Sequence, residues 1–189
     1  MSVMNDELSP ALVMRLRAHD GNAFGQLVKC YERPMFNLAF RMLGNAAEAA
    51  DATQNVFLKV FEHLDGYDTR YRLFSWIYRI AMNESIDRLE QHKRTDAVTD
   101  REEDVPLTSG ARGPEELARN DQMHDLIQAT LMELSEDYRA VIVLRHFSEC
   151  SYEQMAEILH IPEKTVKSRL YSARQVLREK LCQRGVTAA

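Results

Sequence analysis

The stretch SYEQMAEILHIPEKTVKSRLYSARQVLREKL, residues 151–181, reads as two helices joined by a tight turn. Ser151 and Gln154 stand three apart ahead of an apolar run, the spacing of a capping box that satisfies two free helix-end groups. Met155, Ile158 and Leu159 give the short first helix a buried face, and Ala156 is small where a second helix must cross closely. His160-Ile161-Pro162 interrupts it, and proline suits the start of a new helix. The second helix, from about Glu163 to Leu181, carries two stripes. Val166, Leu170, Ala173, Leu177 and Leu181 recur at helical steps and must face a core, while Lys164, Lys167, Ser168, Tyr171, Arg174 and Arg178 line another face. A basic stripe with hydroxyl and aromatic groups fits a helix lying in a DNA major groove, where cations neutralise phosphates and N-terminal side chains reach base edges. A Lys/Arg stripe alone is equally a solvated face. The capped short helix and the turn beside it favour the groove.

Outward from this pair the apolar spacing stays helical. Met123, Leu126, Ile127, Thr130, Leu131 and Leu134 mark one helix, and Ser135 can cap the next, carrying Tyr138, Val141, Ile142 and Leu144. Nearer the N-terminus, Ser9-Pro10 starts a helix to about His19, ended by the turn cluster Asp20-Gly21-Asn22. Further helices are expected over Ala23–Leu43, Ala47–Leu64 and Arg72–His92, four in all, with no strand and no repeat. Residues 95–118, with Pro106, Ser109-Gly110 and Gly113-Pro114, have no sustained apolar period and read as a linker. The expected fold is all-α: two small helical domains, residues 1–94 and 119–189, joined by a flexible acidic linker, 95–118.

Charge separates along the chain. The linker holds seven acidic residues against Arg101 and Arg112, matching the whole net charge of −5. From His160 onward seven Lys and Arg face only Glu163 and Glu179. An acidic middle and a basic end imply separate jobs. Cys30, Cys150 and Cys182 form no CxxC pair, which argues against a disulfide framework and for a reducing compartment. The N-terminus shows no secretory pattern. No run approaches the ~18 apolar residues that span a bilayer. A soluble, cytoplasmic protein without direct membrane insertion is expected.

Two N-terminal stretches carry chemistry of their own. Asp51, Gln54, Asn55 and Lys59 make a polar stripe beside Val56, Val60 and Leu64, an edge that can bond and pack against a protein at once; an ordinary amphipathic helix would read the same way. Residues 67–78 hold five aromatics, Tyr67, Tyr71, Phe74, Trp76 and Tyr78, with Arg70, Arg72 and Arg79 nearby. Aromatic stacking plus cationic contact is how single strands are held, at about 1–3 kcal/mol per stacked base. Periodicity sets Leu73, Ile77 and Ile80 in a buried stripe with Phe74, and Trp76 fits a core position as well as a base platform.

The residues SYEQMA at 151–156, IPE at 161–163, TVKSRL at 165–170 and Ala173-Arg174 resemble the final region of sigma factors of the extracytoplasmic-function (ECF, group 4) branch of the sigma-70 family. The resemblance extends over residues 11–94. DATQNVFLKVF at 51–61 is similar to the helix that docks on the clamp coiled coil of core polymerase, and LFSWIYRIAMN at 73–83 to the −10 helix. It implies sigma region 2 and sigma region 4 for the two domains. The implied function is that of a promoter-specificity subunit of bacterial RNA polymerase. Such a subunit binds core, recognises −35 and −10 elements and helps open DNA for a stress or envelope-response regulon, without being an enzyme.

The resemblance implies −35 contacts by Lys164, Thr165, Lys167, Ser168, Arg169, Tyr171, Arg174 and Arg178. It implies −10 contacts by Tyr67, Asp68, Arg70, Tyr71, Trp76, Arg79, Asn83, Asp87 and Arg88, the first four on a base-capturing loop. Core binding falls to Asp51, Gln54, Asn55, Phe57, Leu58 and Lys59. Implied partners are core RNA polymerase (clamp coiled coil and flap), promoter DNA and an anti-sigma factor that can be membrane-anchored; no cofactor or metal is expected. The acidic linker could mimic RNA in polymerase channels or be a plain tether.

Four departures stand out. His160 replaces a frequent Gly at a turn that favours a left-handed backbone, which His tolerates better than most residues. Ser172 stands where some members carry a DNA-touching Arg, so no −35 sequence is implied. Ala52 and Asn55 replace a bulky aliphatic residue and an acid.

Two rivals are weighed. His146 and Cys150 at i, i+4 could supply two metal ligands of an enzyme, but no third lies near in sequence. A stand-alone helix-turn-helix regulator explains residues 151–181 and leaves 51–64 and 67–88 without a role.

Overall fold

The computed structural model describes residues 10–96 and 116–186, and every regular element among them is helical. The first half comprises α1 (Pro10–Arg17), α2 (Gly21–Leu43), α3 (Ala46–His63) and α4 (Leu73–Asp96). The second comprises α5 (Glu116–Met132), α6 (Glu136–Ile142), α7 (Tyr152–Leu159) and α8 (Glu163–Gln183).

 The helix-turn-helix is thus α7, Tyr152–Leu159, followed by α8. A 3-10 turn, Leu64–Gly66, closes α3, and α6 runs on into a π-helical turn, Val143–Phe147. The all-α architecture expected from the apolar spacing is the one observed.

Local differences have simple causes. Asp20-Gly21-Asn22 is not a free turn. His19 takes a left-handed φ of 52°, and Asp20 then caps α2, its Oδ1 accepting from Asn22 N at 2.8 Å and Ala23 N at 3.3 Å. Ser135 precedes α6 as expected, but its side chain makes no cap hydrogen bond. Helix α4 continues to Asp96 and α5 begins at Glu116, so both ends of the expected linker are helical. Ser9 and linker residues 97–115 lie outside the described residues.

Helix α2 is the spine. Leu27, Tyr31, Met35, Leu38 and Met42 recur at steps of three and four and are buried. Burying each such side chain contributes about 1.5–3 kcal/mol relative to leaving it exposed. Helices α3 and α4 close over the spine with Val56, Val60, Ile77 and Met82. The second half does not stand apart. Helix α7 packs on α4, α5 and α6 reach the C-terminal end of α2, and one apolar cluster runs through both halves.

Polar groups seal that junction. A helix leaves its last carbonyls without intrahelical partners. Gln128 Nε2 donates to Phe40 O at 3.1 Å, and its Oε1 accepts from Arg41 Nη1 at 2.9 Å. Arg139, 6% exposed, donates to Leu131 O (2.9 Å), Met132 O (2.8 Å) and Leu134 O (3.2 Å). Its Nη1 also reaches Met42 O of the first half. One buried guanidinium therefore ties the end of α5 to the end of α2. Gly44 ends α2 at φ 79°, and a Cβ there would also stand 2.6 Å from Met132 Sδ, so glycine meets both the turn and the close approach.

Candidate nucleic-acid interface

Helix α8 is oriented by its apolar stripe. Val166, Leu170 and Ala173 are buried and Leu177 and Leu181 half-buried, which turns Lys164, Lys167, Ser168, Tyr171, Arg174 and Arg178 to solvent. Tyr171 is 67% exposed, far beyond what a packed aromatic allows. The capping box forms as the spacing requires, with Gln154 N donating to Ser151 Oγ (3.1 Å) and Ser151 N to Gln154 Oε1 (2.8 Å). His160 adopts φ 54°, ψ 41°, the left-handed turn expected of it.

Some cations on this helix already have protein partners. Lys167 pairs with Glu163 at 2.5 Å and lies 5.3 Å from the Tyr152 ring centre. Arg169 bonds Asp137 of α6 at 2.8 Å and is a strut between helices rather than a free groove contact. Ser168 Oγ donates to Thr165 O at 3.0 Å. Arg174 Nε donates to His146 Nε2 at 3.2 Å. Burial, then the charges of Arg174 and Arg145, hold the His146 pKa below its ordinary value, which keeps the imidazole able to accept.

Helix α3 presents a different edge from the one expected. Asp51 and Gln54 are exposed, whereas Val56, Val60 and Leu64 are core. Phe57 is core as well, so it is not available to a partner. The apolar part of the surface is instead Leu58 (59% exposed) and Phe61 (47%), the latter edge-on to Phe24 at 5.4 Å. Helical geometry explains the swap. Val56 and Val60 share the core stripe at a step of four, and Leu58 and Phe61 fall outside it.

The aromatic run around the start of α4 is mostly structural. Tyr67, Phe74 and Tyr78 are buried, and Phe74 and Tyr78 stack at 4.1 Å. Tyr67 is corrected from a base-capturing position to a loop anchor. Its hydroxyl donates to Tyr71 O at 2.6 Å, its carbonyl accepts from Arg17, and its ring lies 5.0 Å from Trp76. Trp76 is half-buried; Tyr71 and Arg70 are exposed, with Arg70 paired to Asp68 at 2.6 Å. On α4, Asn83 and Asp87 are exposed, but Arg79 is engaged. Its Nε and Nη2 donate to the main-chain carbonyl of Glu157 on α7 at 3.1 and 2.5 Å.

Reading the sequence missed Glu84. This buried carboxylate accepts from Asn55 Nδ2 (3.1 Å) and Lys59 Nζ (2.6 Å) of α3 and from Arg88 Nε (2.8 Å) of α4. Burial pushes its pKa up, but the bonds from Lys59, Arg88 and Asn55 outweigh this and hold it below the usual glutamate value. The i, i+4 pair Glu84–Arg88 was the available signal; the two partners on α3 were not legible.

The metal rival finds no support in the geometry. Cys150 is buried, its thiol pushed up to about 12 by burial, and His146 faces Arg174. Among the described residues no three His, Cys, Asp or Glu side chains gather as a metal site, and no helix is long and apolar enough to cross a membrane.

Comparison with known proteins agrees with this geometry. Residues 27–95 match the family model "Sigma-70 region 2" and residues 124–177 match "Sigma-70, region 4". The chain is 35% identical over 179 residues to the ECF RNA polymerase sigma factor SigW of Bacillus subtilis, covering 89% of this chain and 94% of SigW. It is 30% identical over 182 residues to the RNA polymerase sigma-H factor of Pseudomonas aeruginosa, covering 93% and 94%. Its fold superposes on the sigma factor RpoE in complex with the anti-sigma factor NepR from Bartonella quintana with a TM-score of 0.69, 26% identity, and coverage of 84% and 96%. CnrH in complex with the cytosolic domain of CnrY shares the fold at a TM-score of 0.68 and 24% identity, covering 92% and 96%.

The two family-model matches, one to each half of this all-α fold, define a sigma-type transcription initiation factor. This chain belongs to the extracytoplasmic-function group of RNA polymerase sigma factors. It is a promoter-specificity subunit, not an enzyme, and the region 2 match accounts for the residues a stand-alone regulator would leave unexplained.

Proposed function

We propose that the two promoter elements are read by different halves of the chain, with residues 1–94 acting as region 2, 119–189 as region 4 and 95–118 as the tether. Helix α8 reads the −35 element through Lys164, Lys167, Ser168, Tyr171, Arg174 and Arg178, with Thr165 at the margin. The observation that carries this is the exposed basic stripe of α8 opposite its apolar, core-facing one. The −10 element meets α4 and the loop before it, through Asp68, Arg70, Tyr71, Trp76, Arg79, Asn83, Asp87 and Arg88. Core polymerase docks on α3 through Asp51, Gln54, Asn55, Leu58 and Lys59, with Phe61 added on account of its exposure.

An anti-sigma partner follows from the relatives: RpoE of Bartonella quintana, a structural neighbour at 26% identity, is seen bound to the anti-sigma factor NepR. Such a partner would hold the chain inactive in the cytoplasm until a stress or envelope signal releases it. Run-off transcription by core polymerase plus this chain on a genomic promoter library tests the proposal. Selective start sites that are lost on replacing Arg174 and Tyr171 by Ala are expected. Transcription without start-site selectivity would sink it.

A further inference from the structure

Three polar residues assigned above to two different tasks end on one carboxylate. Asn55 and Lys59 belong to the docking face of α3, Arg88 to the −10 face of α4, and Glu84 bonds all three within 3.1 Å. The Glu84 side chain is 8% exposed, against 40% for Lys59 and 18% for Arg88. It is thus too buried to meet a partner itself, while both cations keep part of their surface in solvent.

We infer that Glu84 is a positioning residue that holds the polymerase-docking face and the −10 face in one register. Two cations shared by one buried carboxylate cannot behave independently. If a phosphate or base draws Arg88 away, Glu84 is left to Lys59 and Asn55 and grips them more tightly. If core polymerase takes Lys59, the carboxylate turns to Arg88. Groups in one ion-pair network couple in this way, while separated groups act independently. The link runs through side chains of packed, regular helices, so it needs no change of fold. Occupancy of one face thereby alters how firmly the other is presented.

The inference rests on the face assignments proposed above, and a mutant cycle separates the two. A Cys30→Ser chain, dye-labelled at the remaining exposed thiol Cys182, is titrated with core polymerase and binding is read by anisotropy. Lys59→Met is expected to weaken core binding. Arg88→Met lies on the other helix, yet it should change the size of that loss by about three-fold or more. In a Glu84→Gln background, which keeps the shape and removes the charge, this dependence should vanish. A Glu84 that merely stabilises the fold would lower the melting temperature and leave the two losses multiplicative in every background, which overturns the inference. Should Glu84→Gln not fold by circular dichroism, the cycle in the parent background decides alone. If the parent chain binds core and Lys59→Met binds equally well, the docking assignment of Lys59 fails and the inference with it. If Lys59→Met weakens binding and Arg88→Met leaves that loss unchanged, the docking face stands and only the link through Glu84 is lost.

Discussion

Helices α8 and α4 are both long, and both carry a polar stripe suited to nucleic acid, but they stand in opposite conditions. The α8 stripe faces solvent along its length, and its ties, Lys167–Glu163 and Arg174–His146, stay within its own half. The α4 stripe is partly engaged by protein: Arg79 bonds the α7 main chain of the other half, and Arg88 bonds Glu84. The difference follows from where the halves meet, because α7 lies on α4 while α8 packs on α6 and α7 and leaves its outer face open. The α8 stripe is thus displayed while part of the α4 stripe is held against protein in the same molecule.

The largest expected effect breaks the junction itself. Arg139→Leu leaves Leu131, Met132, Leu134 and Met42 carbonyls without their charged donor. Hydrogen bonds to charged groups contribute about 1.5–3 kcal/mol each and buried orphans cost about as much as they lose, so a loss of about 3 kcal/mol or more is expected in thermal or urea melts. An unchanged melt would show the junction to be held by apolar packing alone.

Next come substitutions on the open helix. Arg174→Ala should weaken binding to a selected −35 duplex by about 1–3 kcal/mol and relax specificity locally, if it reaches a base. Lys164→Ala should weaken all duplexes alike and reduce the salt slope by about one. Isothermal titration over a range of salt separates the two behaviours. If both residues act alike, α8 contributes charge and not sequence.

A smaller effect concerns pH. The folded-state pKa of Glu84 is lowered, so its stabilisation is present above the ordinary value of 4.5 and is lost as pH falls below that toward the depressed folded value. Melts at falling pH should show Glu84→Gln losing less stability than the parent chain in that window. Equal slopes would remove Glu84 from the account. The smallest effect is Arg79→Ala, which deletes one half-buried guanidinium–carbonyl contact between the halves, two bonds to one acceptor that solvent screening holds to about 1 kcal/mol together. Dyes on Cys30 and Cys182, exposed on α2 and α8, should report a modest fall in energy transfer as the halves part more often. No change would place the hold elsewhere, at Arg139 and Gln128.

Much of this was legible in residue order because helices write their burial locally. The Ser151–Gln154 capping box, the left-handed His160 and the stripe Val166–Leu170–Ala173 are consequences of neighbours within four residues. The candidate site was legible where one helix supplies it, as on α8. It was misread where a second element decides burial. Tyr67 and Phe57 look as available as Tyr71 and Leu58 in sequence, yet the first two pack into the core and the others do not. Asp20 likewise reads as a turn residue until its side chain is seen capping α2.

The sequence by itself determined an all-α chain with a capped helix-turn-helix and a basic stripe on its second helix, since hydrophobic period, caps and charge segregation are properties of short windows; the sigma-type order of its parts came from the resemblance of its motifs to that family. Tertiary structure alone decided which of the polar groups on α3 and α4 are free. Arg79 meets the Glu157 carbonyl 78 residues away, and Asn55 meets Glu84 across 29. Such pairings depend on how helices cross, and no local pattern encodes the partner that a long, flexible, charged side chain finds across a packed interface.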